Sequence, residues 1–240
     1  MFDYEDNRPL ILKNVSFSLR GGQKVGIIGR TGSGKSSTVQ AILQMINIKG
    51  GRILIDNVDL ATLAGSVVRE QIITLTQDPF LFPSSIRSNI DPLGTYNDED
   101  ISVALEKVKL WDILCNKVGG NNPDTKDVLD TCIDAGFLSH GQRQLFCLAR
   151  AILKPGKVLI LDEPTSSVDA KTDAQMQGVI RNEFGGHTII MIAHRLSSLL
   201  DFDHILMLDQ GSLVETGHPT ELLDDPSSRF AKMYYGSTGK

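Results

Sequence analysis

The chain has 240 residues, 41% of them apolar, which suffices for one large domain, or one domain with an inserted lobe, around an ordinary core. A net charge of -5 argues against a surface built mainly to hold nucleic acid. No apolar run approaches the roughly 20 residues that a membrane-spanning helix needs, and the N-terminus has no basic-then-apolar signal pattern. Docking onto a membrane protein needs only surface side chains, and these patterns do not exclude it.

The N-terminal part predicts two strands. Apolar and polar residues roughly alternate from Leu12 to Leu19, which predicts a strand with one buried face. A strand pair of this kind usually has a partner upstream, so we expect the chain to begin inside a larger polypeptide. After the turn at Gly21-Gly22, the apolar run Val25–Ile28 predicts a second strand.

A glycine loop, Gly29-Arg-Thr-Gly-Ser-Gly-Lys-Ser36, follows this strand and precedes a helix-period segment from Thr38 to Leu43. Glycines at these positions let backbone N–H groups converge on phosphate oxygens at a helix N-terminus, where the dipole favours anions. In this motif Lys35 reaches the β- and γ-phosphates, and the hydroxyl of Ser36 holds Mg²⁺. The strand before it and the helix after it favour a nucleoside triphosphate site over a chance glycine-rich turn.

Further along, Gly50-Gly51 ends the helix, and Arg52–Val58 predicts another strand and turn. A short helix is predicted over Val67–Ile72 and a strand over Ile73–Thr76, which ends at Gln77. Because α/β sheets place ligand contacts at the carboxyl ends of parallel strands, Gln77 is a candidate site residue.

Residues 80–153 change character and predict an inserted helical lobe, in which Asn97 caps one helix. Its helix-period runs are Ser85–Ile90, Asp98–Lys107 and Gln142–Leu153. Short apolar strands then return on either side of a helix near residues 172–182: Val158–Leu161, Thr188–Ile192, Ile205–Leu208 and Leu213–Glu215. Apolar strands separated by helices indicate a sheet that is buried on both faces.

Two carboxylates, Asp162 and Glu163, follow the first of these strands. Neighbouring side chains on a strand point to opposite sides, so the two can have different roles. Asp162 holds Mg²⁺ or accepts from its bound water, and Glu163 polarises the attacking water as a general base. The alternative is that both cap the turn before Pro164. His194 ends the next apolar strand and either donates to a γ-phosphate or is structural.

The remaining histidines and the cysteines predict neither a metal site nor a disulfide framework. Four histidines show no metal-ligand spacing: His140, His187, His204 and His218. The cysteines are odd in number and outside any CxxC pattern, and we expect buried reduced thiols: Cys115, Cys132 and Cys147.

A second anion site is predicted where Leu138-Ser-His-Gly-Gln142 precedes a helix, because Ser139 and the amide of Gly141 then lie near its N-terminus. The two phosphate-binding loops either face one nucleotide or each serve a different nucleotide across a dimer.

Together these residues resemble the nucleotide-binding domain of ATP-binding cassette (ABC) transporters over essentially the whole chain. The matching motifs are Walker A at Gly29–Ser36, Walker B at Val158–Glu163, the signature at Leu138–Gln142, the Q-loop Gln77, the D-loop Ser166–Asp169 and the switch His194. The resemblance implies an α/β P-loop NTPase core with a mixed, mostly parallel sheet, an antiparallel β subdomain and an inserted helical lobe. The core and β subdomain would be residues 1–79 and 154–240, and the helical subdomain 80–153.

The resemblance also implies the roles of single residues. Catalysis falls to Glu163, His194 and Gln77. A larger set binds ATP, with the first member stacked on adenine: Tyr4, Gly29, Thr31, Gly32, Ser33, Gly34, Lys35, Ser36 and Ser37. The Mg²⁺ ligands are Ser36, Gln77 and Asp162. The ATP of a partner domain is contacted by the signature residues Ser139, His140, Gly141 and Gln142. The D-loop residues at the dimer interface are Ser167 and Asp169.

In that family two such domains pair head to tail around ATP, and hydrolysis loosens the dimer. The resemblance therefore implies an ATP-hydrolysing cassette that powers transmembrane export from the cytosolic face of a membrane. Its partners would be a second nucleotide-binding domain and transmembrane domains, and not nucleic acid. Phe80–Phe82 would lie near the surface that receives the transmembrane domains. Alternatively, these aromatic rings fill the core beneath the helical lobe.

Finer features resemble the second nucleotide-binding domain of the C subfamily, the multidrug-resistance-associated type: Lys13–Phe17, Thr76–Phe82, Ser88–Pro92 and Glu163. His140 departs from the glycine that is common at the middle of the signature, while its neighbours remain. An alternative is a nucleotide-gated regulatory domain of a C-subfamily channel or receptor subunit, in which ATP binding is the signal. Glu163 and His194 together favour hydrolysis. An ABC-type ATPase acting on DNA or the ribosome would need a coiled-coil insertion or a tandem cassette, and the sequence has neither.

Overall fold

The computed structural model describes residues 11–119, 123–134, 136–164, 168–193 and 195–238. They form two compact units, one from Met1–Ile72 with Thr188–Lys240 and the other from Ile73–His187. The strands are β1 Lys24–Gly29, β2 Leu54–Ile55, β3 Val58–Asp59, β4 Ile72–Leu75, β5 Ser84–Ser85, β6 Cys132–Ile133, β7 Val158–Asp162, β8 Thr188–Ile192, β9 His204–Asp209 and β10 Ser212–Gly217. The helices are α1 Lys35–Ile42, α2 Gly65–Gln71, α3 Ile86–Ile90, α4 Asp98–Lys107, α5 Trp111–Val118, α6 Thr125–Asp130, α7 His140–Leu153, α8 Ala170–Glu183, α9 Pro219–Asp224 and α10 Arg229–Thr238.

The first unit is built on a mixed, mostly parallel sheet. Strand β1 lies between β8 and β9 and runs parallel to both, while β10 pairs antiparallel with β9. Val25, Ile27 and Ile28 of β1 are fully buried, as an apolar strand covered on both faces requires. The sheet type predicted from the sequence is thus confirmed. Because β1 ends at Gly29, the glycine loop begins at the carboxyl end of an interior strand.

A small antiparallel pair, β2 with β3, belongs to the same unit. Asp56 and Asn57 at its turn have φ angles of 49° and 65°. Two consecutive residues at positive φ form the turn whose twist matches that of paired strands, and Asp and Asn tolerate this conformation. The strand and turn predicted over Arg52–Val58 are therefore β2 and its turn, and the second strand of the hairpin begins at Val58.

The strand predicted over Leu12–Leu19 is absent from the described chain. The amide of Lys13 donates to the carbonyl of Gly211 at 2.7 Å. No described strand pairs with the segment, and its apolar side chains are poorly covered, with Phe17 37% exposed. The prediction is wrong because alternation supplies only a buried face, whereas a strand also needs a hydrogen-bonding partner along its length.

The second unit is rich in helices. Strand β7 is a hydrogen-bonded neighbour of β4, and β5 pairs antiparallel with β6. Helix α7 packs against α3, α4 and α8, and α4 also packs against α5 and α6. Ile101 and Leu105 of α4 and Phe146 of α7 are fully buried. This unit contains the helix-rich region predicted over residues 80–153, and the domain boundaries drawn from the sequence stay a prediction.

Helix α4 begins as the sequence predicts. The side chain of Asn97 accepts from the amide of Asp100 at 2.8 Å and caps the helix. Asp98 and Glu99 join Asp100 in an acidic first turn, which the helix dipole favours. The predicted bounds, Asp98–Lys107, are those of the structure.

The three cysteines are free, as predicted, but they are less buried than predicted. Cys115 and Cys147 are half-buried, and Cys132 is exposed. Cys132 precedes the buried Ile133 in β6, and the strand period of two turns the neighbouring side chains to opposite faces. The expectation of three buried thiols is therefore wrong.

Arg87 joins three helices of the second unit. Its guanidinium contacts Asp98 of α4 through two nitrogens, and its Nε donates to Asp130 Oδ1 of α6 at 2.8 Å. The hydrogen bonds from Arg87 lower the pKa of Asp98 from its ordinary value. The cluster therefore links α3, α4 and α6 through charge as well as packing.

We predict that Asp98→Asn makes the unit less stable near neutral pH. A carboxyl whose pKa is lowered on folding contributes stability above its unfolded pKa, about 3.9, and loses it as the pH falls through the lower folded pKa. The deficit of the variant in melting temperature should therefore shrink as the pH falls from about 7 to about 3, which thermal unfolding followed by circular dichroism measures. Asp100→Asn, in the same helical turn, is the matched control. An equal and equally pH-dependent deficit in the control would contradict the prediction.

Candidate functional site

The glycine loop leads into a helix that has no side-chain cap. Gly34 is the N-cap residue of α1, with φ of 105°, and among the described residues no side chain caps the helix. That turn also carries no acidic residue. The first N–H groups of a helix have no intrahelical acceptor. At α1 these donors are therefore left for an anion, which the helix dipole also attracts.

Lys35, the first residue of α1, is turned onto the loop. Its Nζ donates to the carbonyls of Gly29 at 2.9 Å and Arg30 at 3.2 Å, and the side chain is only 7% exposed. An ammonium group has three donors, so one remains for a phosphate oxygen. The lysine thus supplies a positive charge that the loop itself holds in place.

The turn between β9 and β10 contacts the glycine loop and supports it. The amide of Gly211 donates to the carbonyl of Ser33 at 3.0 Å. Gly29 approaches the same region closely: a Cβ there would lie 2.2 Å from the carbonyl oxygen of Leu208 and 2.5 Å from Ser33 Oγ. The close approach explains why the loop begins with glycine.

Asp162 and Glu163 lie where β7 ends. The preceding strand residues Leu159 and Leu161 are fully buried, so the strand itself is fixed in the core. Glu163 adopts φ of 50°, a left-handed conformation that costs an L-residue roughly 1–2 kcal/mol. Pro164 does not account for this φ, because a proline favours extended backbone at the residue before it. Backbone strain of this kind clusters at functional sites.

The signature segment begins α7 with a complete capping box. Ser139 Oγ accepts from the amide of Gln142 at 3.3 Å, and Gln142 Oε1 accepts from the amide of Ser139 at 3.0 Å. The hydroxyl hydrogen of Ser139 and the amides of His140 and Gly141 are not used in this box. The arrangement therefore offers donors to an external anion while the helix start stays rigid.

Asp169 of the D-loop is tied to the signature through Thr172. Asp169 caps α8, and its carboxylate accepts from the amide of Thr172 at 3.0 Å and from the hydroxyl of Thr172 at 2.7 Å. These hydrogen bonds lower the pKa of Asp169. A Cβ at Gly141 would lie 3.1 Å from the Thr172 side chain. The signature and the D-loop helix thus touch at their first turns.

Gln77 lies just beyond β4 and is exposed. Its carbonyl accepts from Nε2 of Gln144, a residue of α7 that is only 1% exposed. The structure therefore attaches the Q-loop backbone to the helix that begins with the signature.

Buried polar atoms test whether these residues fit a nucleotide. Within the described chain, Ser33 Oγ of the glycine loop and His140 Nε2 of the signature are buried without a hydrogen-bond partner. Buried polar groups in native structures are nearly always satisfied, so each loop keeps a polar atom that a ligand could pair with. Among the described residues, no group of three His, Cys, Asp or Glu is arranged to hold a metal. Mg²⁺ needs only one or two protein oxygens beside phosphate and water, so it does not require such a group.

Several predicted residues lie outside the described residues: Tyr4, Ser166, Ser167 and His194. Phe80 and Phe82 are described, and they are 63% and 54% exposed, with ring centroids 4.7 Å apart in an edge-to-face arrangement. The alternative that these rings fill the core is therefore wrong. No described helix combines the length and the apolar character that crossing a membrane requires.

Comparison with known proteins gives consistent matches. Residues 12–166 match the sequence model of the family described as ABC transporter. The chain is 46% identical over 235 residues to ABC multidrug transporter B of Aspergillus fumigatus, covering 98% of this chain and 15% of that protein. It is 42% identical over 232 residues to ABC transporter C family MRP4 of Zea mays, covering 96% of this chain and 15% of that protein. The chain thus spans about 15% of the length of these relatives.

Among solved structures, a bacterial Atm1-family ABC exporter with ATP bound superposes with a TM-score of 0.86. Its sequence identity is 30%, and the match covers 100% of this chain and 41% of that one.

The parallel sheet, the glycine loop and the uncapped helix α1 define a P-loop nucleotide-binding domain. The family match covers more than half of the chain, and the chain therefore belongs to the ABC transporter family, as an ATP-binding domain with the ABC ATPase fold. The family and fold predicted from the sequence are confirmed. The roles of single site residues stay predictions.

Sequence reasoning missed three residues at these sites: Gln144, Thr172 and Gly211. Gln144 carried a usable signal, because a glutamine on the apolar side of a helix-period run is a buried polar group that needs a partner. The sequence around Gly211 indicates a turn but not the contact of that turn with the glycine loop. Thr172 had no signal, since its contacts depend on how α7 and α8 pack.

We predict that Gly29→Ala is far more damaging than Gly32→Ala. Gly29 has atoms within 2.5 Å of a new Cβ, whereas at Gly32 no atom lies within 4 Å of it. With φ of 79°, Gly32→Ala should cost only the conformational strain of the left-handed region, roughly 1–2 kcal/mol. Thermal unfolding and ATP titration calorimetry compare the two variants. Equal losses of melting temperature would contradict the close approach at Gly29.

We also predict that Lys35→Ala weakens ATP binding. A hydrogen bond to a charged group contributes about 1.5–3 kcal/mol, which corresponds to a roughly ten- to hundredfold increase in Kd. Titration calorimetry with ATP measures the change. Lys24→Ala is the matched control, since Lys24 starts β1 at the opposite end from the loop. Wild-type affinity in Lys35→Ala would remove the lysine from the site.

Proposed function

We propose that the chain is the ATP-hydrolysing cassette of an ABC exporter of the C subfamily, corresponding to the second nucleotide-binding domain of the multidrug-resistance-associated type. The multidrug transporter and the C family member among its relatives support the transport class. The observation that carries hydrolysis is Glu163 at the end of β7, held in a left-handed backbone conformation directly after Asp162. A site that only binds ATP has no need of a carboxylate in this position.

In the proposed reaction, Lys35 and the amides at the start of α1 hold the β- and γ-phosphates. Glu163 takes a proton from water while the water oxygen bonds to the γ-phosphorus and the bond to the β–γ bridging oxygen breaks, giving ADP and phosphate. His194 donates to the γ-phosphate. Mg²⁺, when bound, neutralises phosphate charge and has oxygen ligands in Ser36, Gln77 and Asp162.

The signature is proposed to act on a partner's ATP. Two nucleotide-binding domains pair head to tail, and Ser139 with the amides of His140 and Gly141 donates to the γ-phosphate held by the partner. Donors aimed at developing charge are each worth roughly 3 kcal/mol of barrier. The capping box supports this role, because it fixes the helix start without using these donors. Ser167 and Asp169 lie at the proposed dimer interface.

Opening of the dimer after hydrolysis is proposed to drive transmembrane domains, with the cassette on the cytosolic face of the membrane. The exposed rings of Phe80 and Phe82 support a protein contact at that surface, since adjacent exposed aromatics are unusual on a surface that only water covers.

A regulatory domain, in which ATP binding rather than turnover is the signal, is the second candidate. The observation that favours it is His140, which stands where the family commonly has glycine and buries Nε2 without a described partner. A weaker contact from this signature would slow hydrolysis in the partner's site while binding persists.

We predict that Glu163→Gln keeps ATP binding but stops turnover. The amide is nearly the same size as the carboxylate and cannot accept the proton, and loss of a general base typically costs about a hundred- to ten-thousandfold in rate. Steady-state phosphate release measures turnover, and size-exclusion chromatography with ATP and Mg²⁺ should show a more persistent dimer.

Glu106→Gln in α4 changes the same charge at an exposed position and is the matched control. Undiminished hydrolysis in Glu163→Gln would exclude the proposed general base. ATP binding by the wild type without any phosphate release would favour the regulatory candidate.

A further inference from the structure

The Q-loop segment, residues 76–82, is fastened to helix α7 at more than one point. Near one end, Gln144 Nε2 donates to the carbonyl of Gln77 and, at 3.4 Å, to that of Thr76. Farther along, Arg150 Nη1 donates to the carbonyl of Phe80 at 2.7 Å. Both donors belong to the helix that begins with the signature.

The spacing of the two attachments fits a segment that runs beside the helix. Gln144 and Arg150 are six residues apart, which is about 9 Å along a helix axis. Gln77 and Phe80 are three residues apart, which is at most about 10 Å of extended chain. The helix and the segment therefore cover similar distances between the two attachments.

Asn89 completes the attachment at Phe82. Its side chain is fully buried, its Oδ1 accepts from the amide of Phe82 at 2.8 Å, and its Nδ2 donates to the carbonyl of Phe82 at 2.9 Å. Arg150 Nη2 donates to the same Oδ1 at 3.1 Å. The arginine thus holds Phe80 directly and Phe82 through Asn89.

The environment of Gln144 points to a role other than stability. Its Oε1 is buried without a hydrogen-bond partner among the described residues, and an unsatisfied buried carbonyl is unfavourable. Replacing the glutamine with leucine removes both the donor to the two carbonyls and this unsatisfied oxygen, so the two effects on stability oppose each other. What only the glutamine provides is a fixed position for the Gln77 backbone.

We propose that Gln144 is a positioning residue for Gln77, and that with Arg150 it makes residues 76–82 and helix α7 move as one piece. The proposal rests on the proposed function, in which Gln77 serves the chain's own ATP and Ser139 to Gln142 serve the partner's. A displacement of Gln77 is then transmitted along α7 to the signature. One ATP site thereby influences the other within a single chain.

A double-mutant cycle on the complete protein tests the proposal. Gln77→Ala, Gln144→Leu and the double variant are compared by steady-state ATP hydrolysis. We expect Gln144→Leu to lower kcat about tenfold or more with little change in KM, because a misplacement of about 1 Å costs up to about a hundredfold. The double variant should be no slower than Gln77→Ala, since Gln144 acts only through Gln77.

Gln175→Leu is the matched control. Gln175 of α8 also donates Nε2 to a backbone carbonyl, that of Val108 at 2.6 Å, in the same unit but away from the Q-loop segment. Its loss should lower the melting temperature about as much as Gln144→Leu does, and it should leave kcat unchanged. If the losses of kcat in Gln144→Leu and Gln77→Ala multiply in the double variant, the proposal is overturned. It is also overturned if Gln144→Leu leaves kcat unchanged.

Amide hydrogen exchange without nucleotide gives a second readout that does not depend on hydrolysis. Exchange in residues 76–82 should accelerate in Gln144→Leu and in Arg150→Met, partly recover in Arg150→Lys, and stay unchanged in Gln175→Leu. If Gln144→Leu does not fold, Gln144→Met, of nearly equal length, takes its place. Unchanged exchange in the glutamine and arginine variants would overturn the proposal. If Gln77→Ala leaves kcat unchanged, the proposed role of Gln77 in hydrolysis fails instead.

Discussion

The first unit is organised around the start of α1, where the first amide donors of the helix have no side-chain cap among the described residues. Gly34 gives this helix no side-chain cap, whereas α4, α7 and α8 are capped by Asn97, Ser139 and Asp169. The helix can leave its first donors unused because other contacts fix the loop: β1 is buried between two parallel neighbours, and the turn at Gly211 holds the loop from below. Stability supplied by the sheet thus permits a helix end whose first amide donors stay available to an anion.

In the second unit the organising element is α7. Its first turn presents the signature and touches Thr172, its middle holds the Q-loop backbone through Gln144, and its last turn holds the exposed aromatic segment through Arg150. Burial lowers the pKa of Arg150, yet hydrogen bonds to three backbone or side-chain oxygens keep its charge satisfied. The signature and the Q-loop segment, which lie about 60 residues apart in sequence, therefore share one helix about 21 Å long as their support.

Local patterns predicted the elements with strong periodicity and the motifs with fixed spacing. Helix α4 was predicted to the residue, and β7 and β8 were found from their apolar runs. Helices α5 and α6 were missed because they are short, and a few residues carry little periodic signal. The strand predicted over Leu12–Leu19 is the opposite case, because its alternating pattern is clear but no described strand pairs with it. Contacts such as that of Gln144 with Gln77, 67 residues away, depend on packing that no local window contains. The exposure of Phe80 was undecidable for the same reason.

The left-handed backbone conformation at Glu163 affects which residues the fold accepts at this position. Glycine and asparagine adopt its left-handed conformation more readily than glutamate does, so folding does not oppose their substitution there. The stability of the fold therefore does not account for a glutamate at this position, whereas burial in the core accounts for Leu159 and Leu161.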